Sequence, residues 1–257
     1  MRLLFLGAGE AGIGIGDLVV EALVEEGLSL ADARTHCWFV DSQGLVESSR
    51  SGLPEHKQRF AHEHGAIGSL LEAVETLRPH AIIGVSGTPG MFTAPVLSAM
   101  ARLHARPVVL ALSNPTSKAE CTAQEAYAAT DGRAIFASGS PFAPVTFRGR
   151  THVPGQGNNA YIFPGVGLGV LVSESSRVSE EMFAAAARRL ADLVTADDLA
   201  MGRLYPSLSR IREVSHAIAV AVARIAFARG LARNEPPPDL DAAVTAAMFS
   251  PEYVSMI

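Results

Sequence analysis

The stretch that decides the fold is RLLFLGAGEAG, residues 2–12. A short apolar run leads into glycines at positions 7, 9 and 12, and then into a segment with helical spacing. The first glycine permits a tight turn, the second lets a pyrophosphate approach the backbone, and the third lets the helix pack on the strand. The N-terminus of the helix offers free N–H groups and the positive end of its dipole. The stretch therefore predicts a strand–turn–helix unit that binds a dinucleotide.

The rest of the chain continues this alternation of strands and helices. Strands are predicted at 2–7, 35–41, 81–87, 107–115 and 134–141, and helices at 10–27, 69–79, 93–104 and 118–132. Continuous apolar strands between helices indicate a parallel sheet covered on both faces. After residue 150 the pattern becomes helical, at about 159–173, 179–194 and 209–229, and 234–241 is predicted to be extended. We expect an α/β fold, Rossmann-like and doubly wound, with a mostly parallel sheet and a helical C-terminal layer.

Composition narrows the classes of function. The 257 residues are 48% hydrophobic and 18% charged, with a net charge of -5. No basic face is available, which argues against a nucleic-acid or membrane-surface partner. Apolar runs are interrupted well before the ~20 residues that a membrane span requires. The two cysteines, Cys37 and Cys121, are far apart, which is typical of reduced thiols in the cytoplasm.

The identity of the dinucleotide depends on three residues. Asp41 ends the second predicted strand, where an acidic residue accepts the ribose hydroxyls of NAD. Ser42 follows it, and Lys57 lies further along. A lysine near the ribose 2′ position would attract the additional phosphate of NADP. From charge alone, however, a solvated surface lysine is the commoner interpretation of Lys57.

Three asparagines are candidates for substrate binding. Asn114, in ALSNPT, ends a strand at the edge where open α/β sheets bind ligands. Asn158 and Asn159, in GQGNN, precede an apolar helix. Because an amide both donates and accepts, it suits a substrate that carries hydroxyl and carboxylate groups. The alternative is that these asparagines are helix caps and turn residues.

The sequence offers no catalytic or metal-binding motif. His62 and His64 alternate in a polar segment, which favours an exposed stretch over a metal site. No base is expected beside Ser113 or Ser117. The acidic residues Glu120, Asp131 and Glu213 are scattered without the spacing of metal ligands.

Several blocks of sequence together resemble the NAD(P)-binding half of malic enzyme. They are FLGAGEAGIGIGDLV, VDSQGLV, RPVVLALSNPTSKAECTAQEAY, PGQGNNAYIFPGVGLG and GRLYPSLSRIREVS, in family order along essentially the whole chain. The blocks SNPTSKAEC, PGQGNN and GRLYP are far more specific than the glycine pattern. On this resemblance, residues 1–257 form the NAD(P)-binding domain of malic enzyme.

The resemblance implies an activity and a role for particular residues. The family oxidises L-malate with NAD(P) and decarboxylates the product to pyruvate and CO2, using Mn2+ or Mg2+. The cofactor-binding positions are then Gly7, Ala8, Gly9, Glu10, Ala11, Asp41, Ser42, Lys57 and Asn114. Asn114, Asn158 and Asn159 would hold malate beside the nicotinamide. Ser42 and Lys57 match the NADP-preferring members, although Gln43 stands where those members usually have a lysine.

One departure from the family is large. The tyrosine, the lysine and the three acidic metal ligands of the family precede the glycine turn, so they have no counterpart here. We expect the chain to need an N-terminal half for activity, to expose an apolar surface for it, and to form a homo-oligomer with it. The alternatives are a stand-alone dinucleotide-binding or regulatory module, or another Rossmann dehydrogenase acting on amino or hydroxy acids. The asparagine blocks argue against that dehydrogenase.

Overall fold

The computed structural model describes residues 1–250, which divide into two units. The first unit comprises residues 1–157 and 196–204, and the second comprises 158–195 and the residues from 205 onward. Each unit is described by itself.

The first unit contains every strand of the described chain. The strands are β1 (Leu3–Leu6), β2 (Cys37–Asp41), β3 (Gly44–Leu45), β4 (Ala81–Gly84), β5 (Val108–Ala111), β6 (Ile135–Ser138), β7 (Val145–Phe147), β8 (Arg150–His152) and β9 (Gly155–Gln156). The helices are α1 (Glu10–Glu25), α2 (Leu30–Arg34), α3 (Glu55–Gln58), α4 (Leu70–Leu77), α5 (Ala94–Leu103), α6 (Ala123–Ala129) and α9 (Ala196–Ala200). A short 3-10 helix spans Thr116–Lys118.

The main sheet has the doubly wound topology that the sequence predicts. Its strand order is β3-β2-β1-β4-β5-β6-β9, and only the β2–β3 pair is antiparallel. The chain moves outward from β1 in one direction through β2 and in the other through β4. Parallel sheets of this kind bind ligands where the order reverses, at the carboxyl ends of the strands. Here that position lies between β1 and β4.

The two faces of this sheet are covered by different apolar layers. Phe5, Phe39 and Phe60 pack in one layer, where the rings of Phe5 and Phe39 stack at 4.6 Å. Ile82 and Phe136 pack in the other layer, with residues of α4, α5 and α6. Every residue of β1 and β4 is buried, which explains why these strands read as unbroken apolar runs.

Each apolar layer contains one free cysteine. Cys37 is buried in the first layer, and Cys121 is buried in the second. Burial, with a smaller contribution from Asp17, raises the pKa of the Cys37 thiol to about 12. Burial also raises the pKa of the Cys121 thiol far above its ordinary value. The expectation of two separate, unpaired thiols is confirmed.

The second unit is helical throughout its described residues. It contains α7 (Phe163–Ser173), α8 (Glu180–Asp192), α10 (Ile211–Ala228) and α11 (Leu240–Ala247), with 3-10 helices at Asn159–Tyr161 and Leu208–Arg210. Gly165 and Gly169 let α7 approach α10 closely, because an added Cβ at either position would lie 2.7 Å from an atom of α10. The expected helical character of the C-terminal part is confirmed.

Several predicted boundaries and one predicted segment are wrong. The helix predicted from 118 begins only at Ala123, because Thr122 and Glu125 form a capping box. The strand predicted to extend to 115 ends at Ala111. Residues 145–152, which straddle the predicted change to helix at 150, form the β7–β8 hairpin. The extended segment predicted to 241 ends at Asp239, whose side chain accepts from the Ala242 N–H and caps α11.

Candidate functional site

The turn after β1 has the backbone geometry that its glycines predict. Gly7 has φ +114, and an added Cβ would lie 2.8 Å from the carbonyl oxygen of Val85. A Cβ on Gly12 would overlap the carbonyl oxygen of Gly7. Gly9 is the N-cap of α1, and a Cβ there would meet nothing within 4 Å. Two glycines therefore allow close packing of the turn, and the third leaves the helix N-terminus open.

A cavity of about 730 Å3 lies over this turn, at the point where the strand order reverses. Its walls come from the ends of β1, β2 and β4 and from the segment that contains Lys57. Seven of the cofactor positions line it together, namely Gly7, Ala8, Gly9, Glu10, Asp41, Ser42 and Lys57. Ala11 and Asn114 are not among the described residues that line it. Its volume is within the usual range for small-molecule sites.

A charged cluster surrounds Asp41, which lines this cavity together with Lys57, whereas Arg50 is not among the lining residues. Arg50 donates to both carboxylate oxygens of Asp41 at 3.1 Å, and the Lys57 ammonium lies 2.7 Å from Oδ2. Burial alone would raise the pKa of Asp41, but the hydrogen bonds from Arg50 and Lys57 outweigh it and lower the pKa. The Lys57 side chain is only 17% exposed. The interpretation of Lys57 as a solvated surface lysine is therefore wrong.

Arg50 is a member of this cluster that the sequence alone does not reveal. It lies in a loop nine residues after Asp41, and nothing in the local pattern distinguishes it from other surface arginines. Its guanidinium also donates to the carbonyl oxygen of Leu45 at 3.0 Å and to the side chain of Gln43 at 3.0 Å. Arg50 therefore fixes both the acidic residue and the turn that follows β2.

A second acidic group corrects the expectation that no base lies beside Ser113. Glu120 is fully buried, and its Oε1 accepts a 2.5 Å hydrogen bond from the Ser113 hydroxyl. The backbone N–H of Ser86 also donates to Oε1, and the backbone N–H of Ser113 donates to Oε2, both at 3.4 Å. The Gly87 N–H donates to the Ser113 oxygen at 2.9 Å. Glu120 thus joins the loops that follow β4 and β5.

Asn114 follows β5 and is exposed. Its Oδ1 accepts from the Ser140 hydroxyl at 2.7 Å, so its NH2 group remains available to donate. An added Cβ on Gly139 would lie 2.8 Å from the Asn114 amide nitrogen, so a glycine at position 139 leaves room for the amide. The side chain is therefore held in one orientation and presents donors.

Asn158 and Asn159 belong to the second unit. The Asn158 Oδ1 accepts from the Ala160 N–H at 2.8 Å, which is the capping role named as the alternative. Asn159 is exposed and lines an apolar groove of about 400 Å3 along α7. Because they belong to a different unit from the glycine turn, their substrate role stays a prediction.

The histidines at 62 and 64 belong to a packing arrangement. Their rings lie 4.4 Å and 5.8 Å from the Trp38 ring, and His62 also bonds the Cys37 carbonyl oxygen at 2.9 Å. Within residues 1–250, no group of three His, Cys, Asp or Glu side chains is placed to hold a metal ion. In the same residues, no helix combines the length and apolar character that crossing a membrane requires.

Comparison with known proteins gives the family. Residues 1–227 match the model of the family described as malic enzyme, NAD binding domain. The chain is 49% identical over 253 residues to a human protein named NADP-dependent malic enzyme, mitochondrial, and covers 42% of it. It is 48% identical over 257 residues to the Arabidopsis thaliana NADP-dependent malic enzyme 4, chloroplastic, and covers 40% of it. These matches include 98% and 99% of the chain, which therefore spans less than half the length of either relative.

Solved structures show the same fold. The crystal structure of Entamoeba histolytica malic enzyme matches with a TM-score of 0.73 at 22% identity, covering 96% of this chain and 46% of that one. The malic enzyme from Pyrococcus horikoshii matches with a TM-score of 0.71 at 22% identity, covering 96% and 52%. At this identity the likeness concerns the fold, whereas the family follows from the sequence matches. This chain belongs to the malic enzyme family and carries its NAD-binding domain.

Proposed function

We propose that the chain is the cofactor domain of an NADP-preferring malic enzyme, which converts L-malate to pyruvate and CO2. The observation that carries the NADP preference is the Asp41–Arg50–Lys57 cluster, of which Asp41 and Lys57 line the cavity. The family match and the names of the relatives support the reaction.

The cluster favours a phosphate over a free ribose hydroxyl for electrostatic reasons. An acidic residue that selects NAD needs free oxygens to accept from the ribose. Here Arg50 and Lys57 both bond the Asp41 carboxylate, so its acceptor capacity is largely used. Two positive charges against one negative charge leave an excess of +1. A 2′-phosphate beside Lys57 and the exposed Ser42 would compensate that excess.

The glycine turn fits the pyrophosphate of the same cofactor. Open space beside Gly9 gives a ligand direct access to the N-terminus of α1, whose N–H groups and dipole favour an anion. We propose that residues 7–11 hold the pyrophosphate there. When bound, NADP would supply the acceptor for the hydride that leaves C2 of malate. The protein's part in that step is to position the cofactor and the substrate.

The asparagines supply candidate contacts for the substrate. We propose that the Asn114 amide, oriented by Ser140, donates to the bound ligands at the carboxyl edge of β5. We propose that Asn158 and Asn159 contact the malate carboxylate or hydroxyl. The Asn158 oxygen is engaged in its cap, so its NH2 group is the part that remains to donate.

The described residues do not fit a divalent metal site, so we derive no step through Mn2+ or Mg2+. We propose that the general base and the metal ligands of the complete enzyme lie outside these 257 residues, in a complementary half. We also propose that this half covers apolar side chains of α7, where Phe163 is 75% exposed and Leu171 is 74% exposed. A homo-oligomer of the complete enzyme stays a prediction. A cytoplasmic location also stays a prediction, because two relatives are named as mitochondrial and chloroplastic proteins.

The NADP preference is tested by replacing Lys57→Gln. Calorimetric titration should show that the unmodified chain binds NADP more tightly than NAD. The variant should lose about tenfold or more of that ratio, since a hydrogen bond to a charged group contributes about 1.5–3 kcal/mol. The other lysine of the chain provides the control, because Lys118 is exposed and does not line the cavity. An equal loss in Lys118→Gln, or an unchanged ratio in Lys57→Gln, would contradict the proposal.

A further inference from the structure

A second polar cavity, of about 340 Å3, lies in the first unit. Its lining includes Arg106, Arg133, Arg150 and His152, together with small and apolar residues of the loop before β6 and of the segment around α9. Arg106 and Arg133 each come two residues before a strand of the parallel sheet. The cavity thus opens at the amino ends of β5 and β6.

This location separates the cavity from the dinucleotide site. In a parallel sheet all carboxyl ends share one edge, and the glycine turn follows the carboxyl end of β1. The four-residue strands span about 13 Å at roughly 3.3 Å per residue, so the two cavities occupy opposite edges of the sheet. A ligand here would be remote from the bound cofactor.

None of the three arginines in the lining forms an ion pair with another residue of the described chain. Arg133 donates to the carbonyl oxygens of Ala101, His104 and Ala105, at 2.9–3.2 Å. Arg150 donates to the Ala200 carbonyl oxygen at 2.7 Å. These neutral acceptors orient both guanidinium groups without cancelling their charge. Arg106 makes no hydrogen bond or ion pair within residues 1–250, and none of the described lining residues is acidic.

His152 lines the cavity with a ring that is buried and stacked on a neighbouring ring. It is 5% exposed, and its ring stacks on the buried Tyr127 ring at 4.4 Å. Burial and the charge of Arg150 hold the pKa of His152 below its ordinary value, which favours the neutral form of the ring. A neutral imidazole adds a hydrogen-bonding group without adding to the charge repulsion among the arginines.

We propose that this cavity binds a small oxyanion ligand, through a phosphate group or paired carboxylates, remote from the cofactor site. The N–H groups of a guanidinium can donate two parallel hydrogen bonds to the oxygens of a phosphate or of a carboxylate. The volume lies at the lower end of the range for small-molecule sites, which fits a metabolite of a few carbons. The inference concerns a different edge of the sheet and does not depend on the proposed NADP preference.

The test is a titration of the purified chain with inorganic phosphate and, separately, with succinate, at constant ionic strength. Calorimetry measures affinity, and NMR of the histidine rings, assigned with a His152→Gln variant, reports the location of binding. Arg106→Gln removes one lining charge without breaking a bond inside the described chain. Arg102→Gln is the matched control, because this α5 arginine is 63% exposed and pairs with Glu75 outside the cavity.

We expect saturable binding of at least one anion, a shift of the His152 signals, and about tenfold weaker binding to Arg106→Gln, with Arg102→Gln unchanged. Binding of phosphate alone would identify a phosphorylated ligand, and binding of succinate alone a dicarboxylate. The proposal is overturned if neither anion shows saturable binding at concentrations up to about 10 mM, a concentration above the millimolar range of weak binding. It is also overturned if Arg106→Gln and Arg102→Gln bind equally.

Discussion

Asp41 and Glu120 are acidic residues at the same edge of one sheet, but they are held in opposite ways. Asp41 lines the cavity and forms ion pairs with Arg50 and Lys57. Glu120 is fully buried and accepts hydrogen bonds from hydroxyl and backbone N–H groups. The first arrangement leaves an excess of positive charge beside the cavity, whereas the second fixes the loops after β4 and β5.

The difference shows two ways in which a carboxyl group can order the residues around it. A buried carboxyl group is costly unless its oxygens have hydrogen-bond partners, so Glu120 constrains all the groups that satisfy it. Those groups belong to the loops after β4 and β5, which carry Ser86 and Ser113. Asp41 constrains two flexible cationic side chains instead, and under the proposed NADP preference this would lower the entropy that they lose on binding a phosphate.

The largest effect is expected from Glu120→Ala. Removing the carboxylate would leave the buried Ser113 hydroxyl and two backbone N–H groups without their acceptor. The free energy of unfolding should fall by about 3 kcal/mol, measured by urea denaturation. Glu75→Ala is the control, since Glu75 is 54% exposed in a surface ion pair whose loss should cost at most about 1 kcal/mol. Equal losses in the two variants would remove the distinction between the buried carboxylate and a surface one.

A smaller loss is expected from Gly84→Ala, which changes the room around Glu120 without altering its charge. A Cβ at position 84 would overlap the Glu120 carboxyl group. The cost should be about 1–3 kcal/mol, the usual range for overpacking a core.

The control for that variant is Gly14→Ala in α1, where an added Cβ meets nothing within 4 Å. This change should stabilise the protein by up to about 1 kcal/mol, because alanine is the better helix former. The two variants should therefore have opposite signs in the same denaturation assay. A neutral Gly84→Ala would mean that Glu120 has freedom to move, which would weaken the contrast with Asp41.

The smallest effect is expected from Asp41→Asn, and it depends on pH. The pKa of Asp41 is lower in the folded chain, so its ionised form stabilises folding above the unfolded value, and this contribution disappears as pH falls through the folded value. The variant should be less stable by about 1 kcal/mol at pH 7. The difference should close below about pH 4, near the ordinary pKa of an aspartate. Thermal unfolding of both proteins across that range measures it, and a constant gap would contradict it.

The sequence could predict what depends on local pattern. The strands β1 and β4 were predictable because buried parallel strands are continuous apolar runs, and Gly7 because the turn requires a positive φ. Two missed elements also had local signals. The β7–β8 hairpin turns at Arg148 and Gly149, both with positive φ, and Asp239 caps α11. The turn glycine and the capping aspartate are therefore the sequence signals that indicate these two elements.

The site contacts were less accessible because they depend on tertiary structure. Arg50 meets Asp41 through a loop, and Glu120 meets Ser86 across 34 positions of sequence. Neither has a periodic pattern or a spacing that marks the partner. The sequence does not predict a base beside Ser113, because Glu120 is seven residues away along the chain. The loop between them brings its carboxyl group to the Ser113 hydroxyl. Residue type marked Asp41 and Lys57 as candidates, but only the fold shows how their charges are paired.

The rates at which the two buried cysteines react with an alkylating reagent report how often the structure around each of them opens. Only a thiolate reacts quickly with an alkylating reagent, and both thiols are buried with raised pKa values. Modification must therefore await an opening of the surrounding structure. Since Cys37 lies in one apolar layer and Cys121 in the other, their separate labelling times follow the opening of the two faces of the sheet. Where both times agree, the layers open together; where they differ, one layer opens while the other remains closed.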